Sequence, residues 1–110
     1  MLLFLWSPSP FLVRAMEFKR VEGARRDRAV RLYALSTCGW CRRVKDFLGE
    51  RGVAYEYVDV DMCSRDEKRE VTLFLKERGL PLTFPLVVVD GSTYISGYRP
   101  EDLSRALGLD

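Results

Sequence analysis

The sequence predicts an α/β fold: a four-stranded mixed sheet flanked by three helices, in the order β-α-β-α-β-β-α. Short runs rich in β-branched and apolar residues alternate with segments whose apolar residues recur at helical spacing. The pair Asp90-Gly91 separates the last two apolar runs, which is typical of a β-hairpin. A β-α-β unit needs a parallel strand pair joined by a right-handed crossover, so the hairpin adds an antiparallel edge to that pair.

The first half of the folded region is a strand, a helix and a second strand. Residues 29–35 form a short, apolar-rich run that suits a strand. Gly49 and Gly52 mark the end of the helix that follows. Residues 53–60 are rich in β-branched and aromatic side chains and predict the second strand. The apolar residues that recur on one face of the helix are Trp40, Val44, Phe47 and Leu48.

The second half supplies a helix, a hairpin and a last helix. Ser64 and Glu67 have the spacing of a capping box, which predicts the start of the second helix. Residues 86–89 and 93–96 are the two strands of the hairpin. Pro100 suits the first position of the third helix, and acidic residues follow it in the first turn.

Composition narrows the function classes. The chain has 110 residues, which predicts one domain. Its net charge of +2 is far from the strongly basic balance of nucleic-acid binders. The chain has no apolar stretch long enough to cross a bilayer, so we expect no membrane partner. We also expect a monomer that binds no nucleic acid. The absence of histidine excludes Cys-His and Ser-His nucleophile pairs. Three cysteines suit neither a disulfide-stapled scaffold nor a structural zinc site.

Residues 1–28 differ from the rest, and we expect them to form a poorly ordered extension before a folded domain at residues 29–110. The apolar stretch at residues 1–13 lacks a basic start and is interrupted by prolines, so it does not match a secretory signal. We therefore expect a cytoplasmic location. The charged residues that follow are typical of a solvated segment, and Met16 is an alternative start of the chain.

The motif Cys38-Gly39-Trp40-Cys41 carries the chemistry, because it follows a strand and opens a helix. The unpaired amides of a helix N-terminus favour a negative charge, so Cys38 is expected to be the thiolate. Cys41 lies one turn further on, within disulfide reach but expected to be more buried. We predict that Cys38 attacks a substrate disulfide and that Cys41 resolves the mixed disulfide.

Side chains around this dithiol motif (residues 38–41) are expected to support it. Ser36 or Thr37 is expected to cap the helix. Positive charge is added nearby by Arg42, Arg43 and Lys45. A third thiol, Cys63, is either an idle small hydrophobic residue or a further redox thiol.

Two further segments accompany the dithiol motif: residues 83–85 before the third strand and residues 96–98 after the fourth. In this element order, the three segments resemble the glutaredoxin family over about residues 29–109. The resemblance implies a thioredoxin fold, a cis proline at Pro85 facing the dithiol, and thiol–disulfide exchange with glutathione or protein partners. The residues that it implies for substrate and glutathione binding are Trp40, Thr83, Phe84, Pro85, Gly97 and Tyr98.

The chain departs from the usual glutaredoxin pattern at three places. Gly39-Trp40 stands between the cysteines where Pro-Tyr is usual. Leu35 stands where glutaredoxins usually carry a lysine that pairs with a glutathione carboxylate. Residues 96–102 replace a Gly-Gly pair followed by acidic residues. This stretch is similar to the redoxins associated with ribonucleotide reductase, which take electrons from thioredoxin reductase.

Three functional hypotheses follow from these patterns. The first is an enzyme that reduces protein disulfides or glutathione mixed disulfides. It would have no tightly bound cofactor, glutathione as co-substrate, and glutathione or thioredoxin reductase as partner. The second is a binding module in which Cys38 and glutathione hold a 2Fe–2S cluster between two subunits. The third is a dedicated electron donor to one enzyme, such as ribonucleotide reductase, that thioredoxin reductase reduces.

Overall fold

The computed structural model describes residues 16–109 and has the predicted elements in the predicted order, with one additional strand. The strands are β1 (Lys19–Val21), β2 (Val30–Ala34), β3 (Tyr55–Asp59), β4 (Leu86–Val89) and β5 (Thr93–Ser96). The helices are α1 (Gly39–Glu50), α2 (Arg65–Glu77) and α3 (Pro100–Leu107), and a 3₁₀ turn (Val60–Met62) follows β3.

The sheet is mixed, as predicted, with the strand order β1-β3-β2-β4-β5. The central strand β2 pairs with β3 in parallel, where Leu32 lies opposite Tyr57. On its other side β2 pairs with β4 in the antiparallel sense, where Leu32 lies opposite Val87. The carboxyl ends of β2 and β3 therefore meet at one edge of the sheet, and the dithiol motif begins four residues beyond that end of β2.

Helices cover both faces of the sheet, because successive residues of a strand point to opposite sides. Leu32 packs with the cluster that contains α1 and α3, and its neighbour Tyr33 packs with the cluster that contains α2. The longest helix, α2, has 13 residues, and no helix between residues 16 and 109 is long and apolar enough to cross a bilayer.

The fifth strand corrects two expectations. β1 pairs with β3 in the antiparallel sense, with Lys19 opposite Tyr57, so the sheet has five strands where four were predicted. Because β1 lies within residues 1–28, the prediction of a poorly ordered extension is wrong for residues 19–21. A short, charged strand has no apolar periodicity to reveal it; it forms because its backbone satisfies the open edge of β3. The apolar stretch at residues 1–13 lies outside the described residues.

The extension packs closely against the turn after α1, and Gly23 permits this contact. A Cβ on Gly23 would lie 2.5 Å from the carbonyl oxygen of Gly52 and 2.8 Å from the amide nitrogen of Ala54. Two backbone hydrogen bonds of Arg25 join the same segments: its N–H donates to Gly52, and its carbonyl accepts from Ala54.

We expect Gly23→Ala to detach this segment and lower the free energy of unfolding by about 1–2 kcal/mol, because the clashing atoms are backbone. Gly49→Ala is the matched control: no atom lies within 4 Å of its added methyl, and alanine in a helix adds up to about 1 kcal/mol of stability. Urea denaturation measures both variants. A Gly23→Ala chain as stable as the wild type would contradict the docking.

The hairpin between β4 and β5 confirms the Asp90-Gly91 prediction. Both residues have left-handed backbone conformations, with φ of 54° and 72°, as a type I′ turn requires. The Asp90 carboxylate also accepts a hydrogen bond from the amide of Ala29, 2.8 Å away, which ties the turn to the start of β2. The hairpin fixes β5, and through it the position of residues 96–98.

Candidate active site

Cys38 itself caps the helix that carries the dithiol motif. Its side-chain sulfur accepts a hydrogen bond from the Cys41 N–H at 3.1 Å, in the place of the usual capping oxygen. The prediction that Ser36 or Thr37 caps α1 is therefore wrong. Cys38 is half-buried, whereas Cys41 is buried, so the two cysteines of the motif differ in exposure.

Ser36 forms its hydrogen bonds with Asp61 of the 3₁₀ turn instead. The amide and the hydroxyl of Ser36 both donate to the Asp61 carboxylate, at 2.8 and 2.5 Å. These hydrogen bonds lower the pKa of Asp61. Asp61 was not identified from the sequence. The available signal was its place just after the second predicted strand, because the carboxyl ends of parallel strands meet at one edge of the sheet.

Cys41 is buried, as predicted, with 1% of its surface exposed. Burial, followed by the hydrogen bond with Cys38, raises the pKa of the Cys41 thiol to about 12. The buried residues of α1 include Cys41 but not Trp40, so Trp40 takes a surface position beside the thiols and does not pack into the core. Trp40 is 58% exposed.

Residues 83–85 and 96–98 are joined to each other. The Phe84–Pro85 peptide bond is cis, as the family resemblance implied, and Pro85 is fully buried. The Pro85 carbonyl accepts a hydrogen bond from the Gly97 N–H at 2.8 Å. The hydroxyls of Thr83 and Ser96 lie 3.3 Å apart and share a second hydrogen bond. The two segments therefore form one wall.

Gly97 and Tyr98 connect this wall to the dithiol motif. Gly97 has a φ of 90°, which side chains strongly disfavour, and the turn that it makes directs Tyr98 towards α1. The ring of Tyr98 stacks on Trp40 with centroids 6.0 Å apart and meets the edge of Phe47 at 6.5 Å. Cys38, Phe84 and Tyr98 pack against the same core cluster, so the three sequence segments meet.

A cavity of about 370 Å³ opens beside Cys38. Leu35 lines this cavity, at the position where the family usually carries a lysine. Arg42 and Lys45 from α1 line the same cavity, together with Asp46. Positive charge is therefore supplied from the helix and not from position 35.

Cys63 lies away from this site. It packs with the cluster that contains α2, on the face of the sheet opposite to Cys38 and Cys41. Its thiol donates to the carbonyl of Asp59 at 3.6 Å, and burial raises its pKa. These surroundings favour the interpretation of Cys63 as a small hydrophobic residue.

Metal-ligating side chains are sparse around Cys38. Across residues 16–109, no three His, Cys, Asp or Glu side chains are grouped closely enough to hold a metal ion. The described part of the chain offers one half-buried thiol at this site, Cys38, so one copy alone cannot supply the four thiolates of a cluster. The hypothesis of a 2Fe–2S cluster would need a second copy and outside thiols, and it stays a prediction.

Comparisons with known proteins agree with this geometry. The Glutaredoxin family model matches residues 30–94. Glutaredoxin 1 of Rickettsia conorii is 34% identical over 59 residues, which are 54% of this chain and 55% of the relative. The chain thus spans about half the length of that relative.

Solved structures share the fold. Methanoredoxin from Methanosarcina acetivorans has a TM-score of 0.73 and 28% identity, over 86% of this chain and 97% of that one. The glutaredoxin-like protein NrdH-redoxin from Escherichia coli has a TM-score of 0.58 and 26% identity, over 70% of this chain and 92% of that one. With its mixed sheet, its dithiol at a helix start and its matched family model, the chain belongs to the glutaredoxin family.

Proposed function

We propose that this protein is a thiol–disulfide oxidoreductase that reduces protein disulfides or glutathione mixed disulfides through Cys38 and Cys41. One observation carries the proposal: the sulfur of the half-buried Cys38 accepts a hydrogen bond from the backbone N–H of the buried Cys41, with 3.1 Å between nitrogen and sulfur. The two thiols differ in exposure, so they can take different parts in one exchange. Cys38 attacks and Cys41 resolves.

In the first step, the Cys38 thiolate attacks one sulfur of the substrate disulfide. The substrate S–S bond breaks, a mixed disulfide forms on Cys38, and the other substrate sulfur leaves as a thiolate. The Cys41 N–H already donates to the Cys38 sulfur, and a hydrogen bond to a charged group is stronger than one to a neutral group. The helix start thus supports the attacking form.

In the second step, the departing thiolate takes the proton of Cys41. The Cys41 thiolate attacks the Cys38 sulfur, which forms the Cys38–Cys41 disulfide and releases the second substrate thiol. Two electrons have then passed to the substrate. Burial is the largest cause of the raised pKa of Cys41, but its hydrogen bond to Cys38 and the Cys38 charge also contribute. Those two causes vanish once Cys38 is a mixed disulfide, so the second step becomes easier after the first.

Substrate binding is proposed for the wall and the aromatic pair beside Cys38. Trp40 and Tyr98 present a stacked aromatic surface next to the reactive sulfur. The half-buried Phe84 offers its backbone to the cysteinyl group of the substrate. Thr83, Pro85 and Gly97 hold this wall in place through their shared hydrogen bonds.

A second candidate is an electron donor that thioredoxin reductase reduces. Asp102 accepts hydrogen bonds from Arg99 at 2.6 Å and Arg105 at 2.9 Å, which order the start of α3 after residues 96–98. Residues 96–102 are similar to the ribonucleotide-reductase-associated redoxins, and NrdH-redoxin is described as having a thioredoxin-like activity profile. Either reductant favours a cytoplasmic location, which we also propose.

The test is to oxidise the chain to the Cys38–Cys41 disulfide and follow nicotinamide oxidation with two reducing systems. One contains glutathione and glutathione reductase, and the other contains thioredoxin reductase. Turnover with glutathione supports the first candidate, and turnover with thioredoxin reductase alone supports the second. If neither system reduces the disulfide, the proposed function fails.

A further inference from the structure

The resolving step, which belongs to the function proposed above, requires a negative charge on a buried sulfur. Cys41 must become a thiolate although it is buried in an apolar cluster. Burying an unpaired charge is costly, so a nearby positive group would speed this step. Lys45 lies four residues after Cys41 on α1, which places the two side chains on the same face of the helix.

Lys45 is held in place by β3. Its side chain is only 28% exposed, and its ammonium lies 3.6 Å from the Asp59 carboxylate and 4.1 Å from the centre of the Tyr57 ring. An ordinary surface lysine is mobile and solvated, but this one is fixed between an anion and an aromatic face. It also lines the cavity beside Cys38.

Asp59 makes this arrangement hard to break. Its Oδ1 atom is buried and, among the residues that the structure describes, accepts no hydrogen bond. The Lys45 ammonium is the charge that compensates it, because removing one member of a buried ion pair leaves the other charge costly. Asp59 thus keeps the ammonium on the side of α1 that carries Cys41.

We propose that the Lys45–Asp59 pair is a positioning device that stabilises the Cys41 thiolate while it attacks the mixed disulfide. Asp59 positions the lysine, and the lysine acts on Cys41 without bonding to the substrate. The Cys41 proton leaves to the departing thiolate or to solvent, the Cys41–Cys38 bond forms, and the substrate thiolate is released. The positive charge of Lys45 favours the charged form of Cys41, against the effect of burial.

Other charged groups surround the pair. Cys41 faces Cys38 on its own helix, and the backbone of Leu35 also favours its thiolate. From β3, Lys45 faces the carboxylate of Asp59 and the ring of Tyr57. Arg42 and Asp46, which carry opposite charges, line the same cavity as Lys45.

The experiment uses the full chain with Cys63→Ser, so that two thiols remain. The reduced protein is mixed with excess aromatic disulfide, and released thiolate is followed by stopped-flow absorbance over a range of pH. The first equivalent reports attack by Cys38, and the second reports resolution by Cys41. The variants are Lys45→Met, Lys45→Arg and the neutral pair Lys45→Met/Asp59→Asn. Lys76→Met, on the exposed side of α2, is the matched control.

We expect Lys45→Met to slow the second phase about tenfold, equivalent to one pKa unit, and to displace its pH profile towards higher pH. The first phase should slow clearly less than the second, because Lys45 also lines the cavity beside Cys38 but Arg42 keeps positive charge there. Lys45→Arg should keep the wild-type second phase, and Lys76→Met should alter neither phase. The neutral double variant, which leaves no lone buried charge, should remain slow in the second phase.

Equal slowing of both phases by Lys45→Met, an unchanged second phase, or failure of Lys45→Arg to preserve it would overturn the inference. So would a double variant that resolves as fast as the wild type, because the single defect would then be structural. Failure of the proposed function looks different: the wild-type chain itself would release fewer than two equivalents.

Discussion

Cys38→Ser is expected to abolish disulfide reduction, whereas Cys41→Ser is expected to stop after the first exchange. A serine hydroxyl is a far weaker nucleophile than a thiolate, so without Cys38 no mixed disulfide forms. Without Cys41 the mixed disulfide on Cys38 has no resolving thiol. Turnover assays and intact-mass measurement of the Cys41→Ser chain check both expectations.

Cys63→Ser is the matched control for these two variants, because Cys63 lies on the opposite face of the sheet. It should keep wild-type turnover. A Cys38→Ser chain that retains turnover, or a Cys63→Ser chain that loses it, would move the reactive thiol away from the start of α1.

Cys41 should resist alkylation in the folded protein. Burial first, and then the hydrogen bond with Cys38, raises its pKa from the ordinary 9.0 to about 12. The raised pKa leaves Cys41 a much smaller thiolate fraction at neutral pH than an ordinary cysteine has. Labelling should increase by about tenfold for each unit of rising pH, because the group ionises only near its raised pKa.

Iodoacetamide labelling with peptide mapping measures this resistance. The same labelling in urea is the control, because the unfolded chain exposes Cys41 and removes the cause of the shift. Equal labelling of Cys41 in the folded and unfolded chains would show that burial does not protect the thiol.

Local signals in the sequence correctly predicted much of the fold. The capping box forms with both of its hydrogen bonds: the Ser64 amide donates to Glu67 at 2.7 Å, and the Glu67 amide donates to Ser64 at 3.1 Å. The Asp90-Gly91 turn fixed the hairpin, and its strands begin and end at the predicted residues. Each of these features is decided by residues only a few positions apart.

The features that were missed depend on residues far apart in the chain. The Ser36–Asp61 hydrogen bonds join residues 25 positions apart, and periodicity carries no information about such pairs. Lys45 and Asp59 likewise meet only because α1 packs beside the end of β3. β1 forms by backbone pairing with β3, and the pattern of its own side chains does not predict a strand. The positions of the two cysteines were predictable from the sequence. The Ser36–Asp61 and Lys45–Asp59 contacts around them were not.

The central claim is that Cys38 and Cys41 form one redox couple, and disulfide mapping across a glutathione redox titration tests it most directly. We predict that one disulfide forms, Cys38–Cys41, at a midpoint of about −200 to −270 mV, while Cys63 remains a free thiol. A disulfide that includes Cys63, or a Cys41 that stays reduced when Cys38 is oxidised, would contradict the claim.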